Sequence, residues 1–244
     1  MNFSPSIFFD ALTSSTFIEG VQVTIALTVV AMVVGLALGL VLAILRNSPW
    51  AVLRGAAWTY IWIFRAIPAL VQLLFIWDAL PQLVPALKGD WFSAFVAASI
   101  ALSLNEAAYA AEIFRGGLLS IDEGQRLAAR ALGMSPVKVF TKVIAPQLIR
   151  VAIPPLANDF ITMLKITSLA SVISLQELLA RTQTLVASTF KFPEYYSAAA
   201  IYYLVLVSIF MAIQAQIERR FVWTSKAATG RTTIGRVRQV AALR

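Results

Sequence analysis

Long apolar runs, separated by short charged stretches, dominate the chain. The first, about Val21 to Leu45, holds no charged residue. At roughly 1.5 Å per residue it extends ~37 Å, enough to cross a hydrocarbon core of about 30 Å with some tilt. The second, about Trp58 to Leu80, is interrupted by Arg65 and Pro68. The third, about Trp91 to Phe114, carries Glu106 and Glu112. The fourth, about Val151 to Leu175, carries Pro154, Pro155, Asp159 and Lys165, and the fifth, about Tyr195 to Ile217, is uncharged. Tryptophans fall near the ends of these runs, as interfacial aromatics do. The pattern predicts an all-α integral membrane protein with five transmembrane helices. The expected organisation is a membrane domain over residues 1–220, followed by a basic tail over residues 221–244.

One stretch breaks the pattern. Gly124 to Arg150 reads GQRLAARALGMSPVKVFTKVIAPQLIR and holds five positive charges. It belongs to a connection, residues 116–150, long enough to carry structure or function of its own. Arg126 to Leu132 is built of good helix formers, and Gly133 breaks it. Ser135-Pro136 is a helix start, with serine as the cap and proline at the first helical position. Val137, Phe140, Val143 and Ile144 then recur at helical spacing, with Lys138 and Lys142 on the other face. Ala145-Pro146 is expected to end that helix. The product is two short basic amphipathic helices meeting at an angle, with Phe140 and Val143 toward an apolar surface. They could rest on lipid or dock on a cytoplasmic partner.

Composition supports the membrane reading. Of 244 residues 59% are hydrophobic, mean hydropathy is +0.80, and only 13% are charged. A soluble domain carries about 25% charged residues. Cysteine and histidine are absent, which removes disulfides, thiol chemistry and the commonest general base and metal ligand. No metal site is expected. The net charge of +8 is read as a report of membrane orientation rather than of nucleic-acid binding. With five spans and the N-terminus outside, fifteen Lys and Arg face the cytoplasm and three face the exterior, a strong positive-inside bias. The N-terminus is therefore expected outside and the C-terminus inside. The first residues have no positive n-region, so a removable signal peptide is not expected.

Charges inside spans need a reason, because each costs about 2.5–3.5 kcal/mol at mid-helix. Entering from outside at Trp91, Glu106 lies ~22 Å down a core of about 30 Å. Entering from inside at Val151, Asp159 lies ~12 Å in. The two acids share a depth, and each follows an asparagine, Asn105 and Asn158. These four residues are the candidate substrate contacts, an ammonium group being the natural partner of a carboxylate. An interhelical polar network or a water-facing wall would explain them equally. Pro154-Pro155 is expected to loosen the helix before Asp159. Glu112 and Arg115, three apart, should pair within one helix. Ala107, Ala108, Ala110 and Ala111 suit close helix packing. Lys165, near Thr167 and Ser168, could pair with a carboxylate across an interface.

The loop resembles the signature of ABC transporter permeases, E-A-A, three residues, glycine, nine residues, I-x-L-P. Ala128, Ala129, Gly133 and Pro146 stand at the matching spacing. Leu127 replaces the glutamate, Val143 the isoleucine and Ala145 the leucine. AYAAEIFRGGLLSIDEGQ (Ala108 to Gln125), ALGMSP, APQLIR, PPLAND, LKITSLASVISLQEL and FRAIPALVQLLFIW together resemble permeases of polar amino acid importers. The resemblance spans about residues 20–220. It implies a type I importer permease whose cytoplasmic loop, the coupling helix, docks on an ATP-binding subunit through Ala128, Ala129, Gly133, Met134, Ser135, Pro136 and Phe140. It further implies a dimer of ATP-binding subunits, a second permease copy, identical or related, and an extracytoplasmic substrate-binding protein, in the bacterial cytoplasmic membrane. The chain itself would hold no cofactor, ATP and magnesium belonging to the partner, which agrees with the absence of a G-x-x-x-x-G-K-[ST] loop. Two other classes compete. An ion-coupled secondary transporter would use inverted repeats with broken helices in both halves, and an intramembrane enzyme would need a catalytic constellation that is not evident.

Overall fold

The computed structural model describes residues 3–221, so the basic tail expected over residues 221–244 lies almost wholly outside the described residues. Among the described residues the chain is helical with no strand. A short helix, α1 (Pro5–Thr13), leads into α2 (Ser15–Arg46). The second apolar run is split into α3 (Ala51–Ala66) and α4 (Ala69–Leu83), which bend by 105°. Then come α5 (Ala94–Leu119), the loop helix α6 (Glu123–Ala131), α7 (Pro136–Ile173), α8 (Leu178–Thr189) and α9 (Phe192–Phe221). Four helices are long and apolar enough to cross a membrane, and five spans result if the bent pair counts as one.

Two expectations are corrected. The second run is not one straight helix. Pro68 has no N–H and forces Ile67 into extended backbone (φ −89°, ψ 131°), so α3 ends there. The helix begun at Pro136 does not end at Ala145-Pro146. It passes through a π-turn at Phe140–Ile144 and runs on to Ile173. The wider turn moves the carbonyl that the Pro146 ring would strike. The same device recurs in α4, where a π-turn at Phe75–Ala79 precedes Pro81. Pro154 and Pro155 likewise sit inside a continuous α7. They deprive the Arg150 and Val151 carbonyls of their usual donors without breaking the rod. Helix α8 was not foreseen. The observed helices also begin or end beyond the apolar runs: α2 starts at Ser15 and α9 at Phe192.

Helices α2 and α5 form the centre. Gly35 and Gly39, four apart on α2, lie against α5 so closely that side chains there would collide. A Cβ on Gly39 would stand 2.7 Å from the Ala110 Cβ, and one on Gly35 2.6 Å from the Glu106 Cγ. Ala107, Ala108, Ala110 and Ala111 are all fully buried on the facing helix. Small residues on both sides bring two backbones together, the main source of helix association where no hydrophobic effect acts between helices. Leu27, Ala31, Leu73, Ile76, Leu102 and Met163 pack around this pair from α2, α4, α5 and α7. At one end Ala11, Leu178 and Ala198 tie α1, α8 and α9 to Phe17 of α2. At the other, Ile121, Ala129, Val139, Ile144 and Leu148 build a small core under the loop helices.

The turn from α6 to α7 has a fixed geometry. The Gly133 N–H donates to the Arg130 carbonyl at 2.9 Å and the Met134 N–H to that of Ala129 at 3.2 Å. That is the Schellman pattern, and Gly133 takes the left-handed conformation it requires, φ +76°. Ser135 then caps α7, its hydroxyl accepting from the Lys138 N–H. Packing at the centre yields a direct expectation: Gly39→Val should destabilise the detergent-solubilised protein by about 1–3 kcal/mol. Gly55→Ala, in open space on α3, should keep the melting temperature at or above that of the wild type, alanine being the better helix former. Equal melting temperatures for the two variants would contradict the close α2–α5 approach.

Candidate translocation site

The break at Pro68 leaves backbone groups that need partners. Gln72, buried one turn into α4, supplies them: its Nε2 donates to the carbonyls of Phe64 and Ile67, both at 2.8 Å. Asn105 on α5 completes the clamp, its Nδ2 donating to the Phe64 carbonyl and to Gln72 Oε1, each at 3.2 Å. Tyr60 donates to the Leu104 carbonyl at 2.9 Å and holds α3 against α5. The bend is therefore a bonded structure. At its far side the first amides of α4, those of Ala69 and Leu70, have no intrahelical acceptor by position.

Beside the bend is a cavity of about 320 Å³. Arg65 to Ala69 form one wall, Asn105, Glu106 and Tyr109 of α5 the second, and Asp159, Thr162 and Met163 of α7 the third. Glu106 is 4% exposed and folds over Gly35, whose missing side chain makes room for it. Glu106 Oε1 and Asp159 Oδ2 are both buried without a hydrogen-bond partner. Two buried acceptors without donors are costly unless something arrives to meet them. Opposite stand a guanidinium and the positive end of a helix dipole. The cavity thus offers acceptors for a cation on one side and donors for an anion on the other.

The four expected contacts divide. Glu106, Asp159 and Asn105 meet at the cavity, although the Asn105 amide nitrogen is committed to the bend. Asn158 is exposed and absent from the lining. Tyr109 and the backbone of the bend were not on that list, and Pro68 was their only signal. Arg65, a charge inside an apolar run, could be read from the sequence as a partner for a substrate carboxylate or as reaching the inner headgroups or another helix. Glu112 and Arg115 pair as expected, at 2.7 Å. Lys165 is exposed and belongs to neither ion pair found among the described residues.

The loop residues divide as well. Ala128, Gly133, Ser135, Pro136 and Phe140 are exposed, whereas Ala129 is buried and Met134 half-buried in the core beneath. Val143, expected to point outward with Phe140, packs inward on that core. The outer apolar surface is instead Leu127, Leu132 (83% exposed), Val137 and Phe140. Leu127 thus places an apolar side chain on the exposed face where the motif has a charge.

Residues 35–223 match the family described as the binding-protein-dependent transport system inner membrane component. The chain belongs to this family. Its relatives include the probable amino-acid permease protein YxeN of Bacillus subtilis, 40% identical over 84% of this chain and 90% of that one. The arginine transport system permease protein ArgU of Corynebacterium glutamicum is 41% identical over 90% of this chain and 71% of its own. The glutamine transport system permease protein GlnP of Escherichia coli is 36% identical over 83% and 91%. A crystal structure of an amino acid ABC transporter with histidines superposes with TM-score 0.79 at 34% identity, covering 90% of this chain and 99% of the other. This permease is therefore an ABC importer subunit with the type I fold, and the secondary-transporter alternative falls away. In such a permease the bend should be sensitive to its clamp. Gln72→Leu, which leaves two carbonyls without a donor, should cost about 1–3 kcal/mol of stability. Thermal unfolding matching the wild type would show that Gln72 does not hold the bend.

Proposed function

We propose that this permease carries a polar amino acid, cationic ones included, from the outside to the cytoplasm by alternating access. The observation that carries the reading is the cavity beside Pro68, where two unpartnered carboxylate oxygens face Arg65 and the start of α4. An amino acid is a zwitterion. Its ammonium group meets Glu106 and Asp159, and its carboxylate meets Arg65 and the free amides of α4. A cationic side chain has the second acid as partner. The names of ArgU and GlnP, an arginine and a glutamine system, support a polar amino acid as substrate class.

The complete machine in this reading has an ATP-binding subunit dimer below, a second permease copy beside, and a substrate-binding protein outside. ATP and magnesium belong to the ATP-binding partner. The N-terminus is outside and the C-terminus and loop are cytoplasmic, as the fifteen-to-three distribution of Lys and Arg favours. The loop is the docking element, through Leu127, Leu132, Val137 and Phe140. Because α7 is continuous, Asp159 stands on the same rod as the docked turn, ~35 Å from Pro136. A shift of the docked end therefore reaches the cavity without a hinge between.

Glu106→Gln and Asp159→Asn should each lower uptake by roughly 10–100-fold, the equivalent of about 1.5–3 kcal/mol for one charged hydrogen bond. Co-purification with the ATP-binding subunit should persist. Normal uptake by both variants across substrate concentrations would refute the assignment. Gly133→Trp should stay in the membrane yet lose the ATP-binding subunit or uncouple its hydrolysis from uptake, since only glycine takes φ +76° without strain. Unchanged association together with unchanged ATP-driven uptake would remove the docking role.

A further inference from the structure

A second cavity, about 450 Å³, adjoins the acid cavity and shares Arg65, Ala66 and Tyr109 with it. The Arg65 guanidinium lies over the Tyr109 ring, 5.4 Å from its centroid. This stacked pair stands where the two cavities meet. Beyond it the wall is basic: Arg46 from the end of α2, Arg65 from α3 and Arg115 from α5, against a single acid, Glu112. Glu112 is bound to Arg115 through both carboxylate oxygens, at 3.2 and 2.7 Å. Arg46 Nε is buried without a partner, and Arg65 is in neither ion pair among the described residues. Two positive charges are left uncompensated in this space.

The second cavity lies toward the loop end of the molecule. Asn47, next to Arg46, shares a surface cleft with Leu118, Asp122 and Phe140 of the loop region. On α5 the residues Asn105, Tyr109 and Glu112 follow one another at four and three positions, so one helix face runs from the acid cavity past the stacked pair into the basic one. Trp58 and Trp62, stacked with centroids 6.0 Å apart, form its outer wall.

We propose that the Arg65–Tyr109 pair partitions the acid cavity from a basic vestibule, and that this vestibule is the route by which a carboxylate-bearing solute leaves toward the cytoplasm. The inference rests on the reading of the acid cavity as the substrate site and adds a direction and a charge filter to it. A cleft lined by one sign of charge concentrates the opposite sign. The carboxylate of a released amino acid is drawn outward by Arg46 and Arg115. Potassium ions from the cytoplasm, which the acid pair would otherwise attract, meet a positive barrier. The Arg65 side chain can swing off Tyr109 to open the way, a cation–π contact being weak enough to break on each cycle.

The chain lacks cysteine, so a single Trp62→Cys, at a position that lines the second cavity and not the acid one, reports on the vestibule. Inside-out vesicles carrying the whole transporter are treated with methanethiosulfonate ethylsulfonate, which is anionic, or methanethiosulfonate ethylammonium, which is cationic, each rate normalised to that of a free thiol. The anionic reagent should react about ten-fold faster. Arg46→Gln should reduce that preference, and Arg46→Gln with Arg115→Gln should abolish it. The single change leaves the Glu112 ion pair intact and keeps the test decisive if the double variant fails to assemble. Full labelling by the anionic reagent should also block uptake. No reaction from this side, equal or reversed rates, a preference that survives Arg46→Gln, or undiminished uptake after full labelling would overturn the proposal. The charge preference is read without substrate, so it stands or falls separately from the effect of Glu106→Gln on uptake.

Discussion

In hydrocarbon every backbone N–H and C=O must find a partner within the protein, and here that rule is suspended at one point and then repaired. Pro68 ends α3 within an apolar run and turns the chain by 105°. The carbonyls so released are captured by Gln72 and Asn105. The rest of the site depends on this repair. It holds Arg65 and the start of α4 at one wall of the cavity whose other walls carry Glu106 and Asp159 with their unpartnered oxygens. Irregular backbone at membrane depth is tolerated where it lines a cavity, and this bend does so.

The second constraint is rigidity. The central pair α2–α5 allows no side chain at Gly35 or Gly39, so Glu106 has one place to go. Helix α7 is uninterrupted from the loop to Ile173 despite three prolines after its first residue, because a π-turn absorbs Pro146 and the helix keeps Pro154 and Pro155 within its frame. The exposed apolar surface of the loop at one end, the docking element in the proposed function, and Asp159 further along are thus parts of one body. A bias applied at the loop is a bias on the cavity, which a conformational cycle needs.

Much of this was legible in the chain. Uncharged runs of spanning length mark α2 and α9, and the Gly133 and Ser135-Pro136 signals mark the turn between α6 and α7, because each rests on local backbone chemistry. Depth arithmetic from the span ends suggests one level for Glu106 and Asp159, and the structure has both in the lining of one cavity. What it could not give was angle. Pro68, Pro146, Pro154 and Pro155 are the same residue with one local effect, yet one bends the chain sharply and three are absorbed. The difference lies in Gln72 and Asn105, eight and forty-one positions from Phe64, and in π-turns that leave no mark in the sequence. Asn158 was read as a neighbour of the acid because it precedes it, but adjacent positions on a helix face 100° apart, and it points elsewhere. The basic wall of Arg46, Arg65 and Arg115 draws on three helices, so no window of sequence contains it. Helix α8, half polar and short, has no spanning signature to announce it.

The most direct measurement is a structure of the assembled transporter at saturating L-arginine. The account predicts density for one amino acid in the cavity beside Pro68, its ammonium or guanidinium within hydrogen-bond distance of Glu106 Oε1 and Asp159 Oδ2, its carboxylate at the first amides of α4 and Arg65. Density for the amino acid elsewhere in the permease, with this cavity empty, would contradict it.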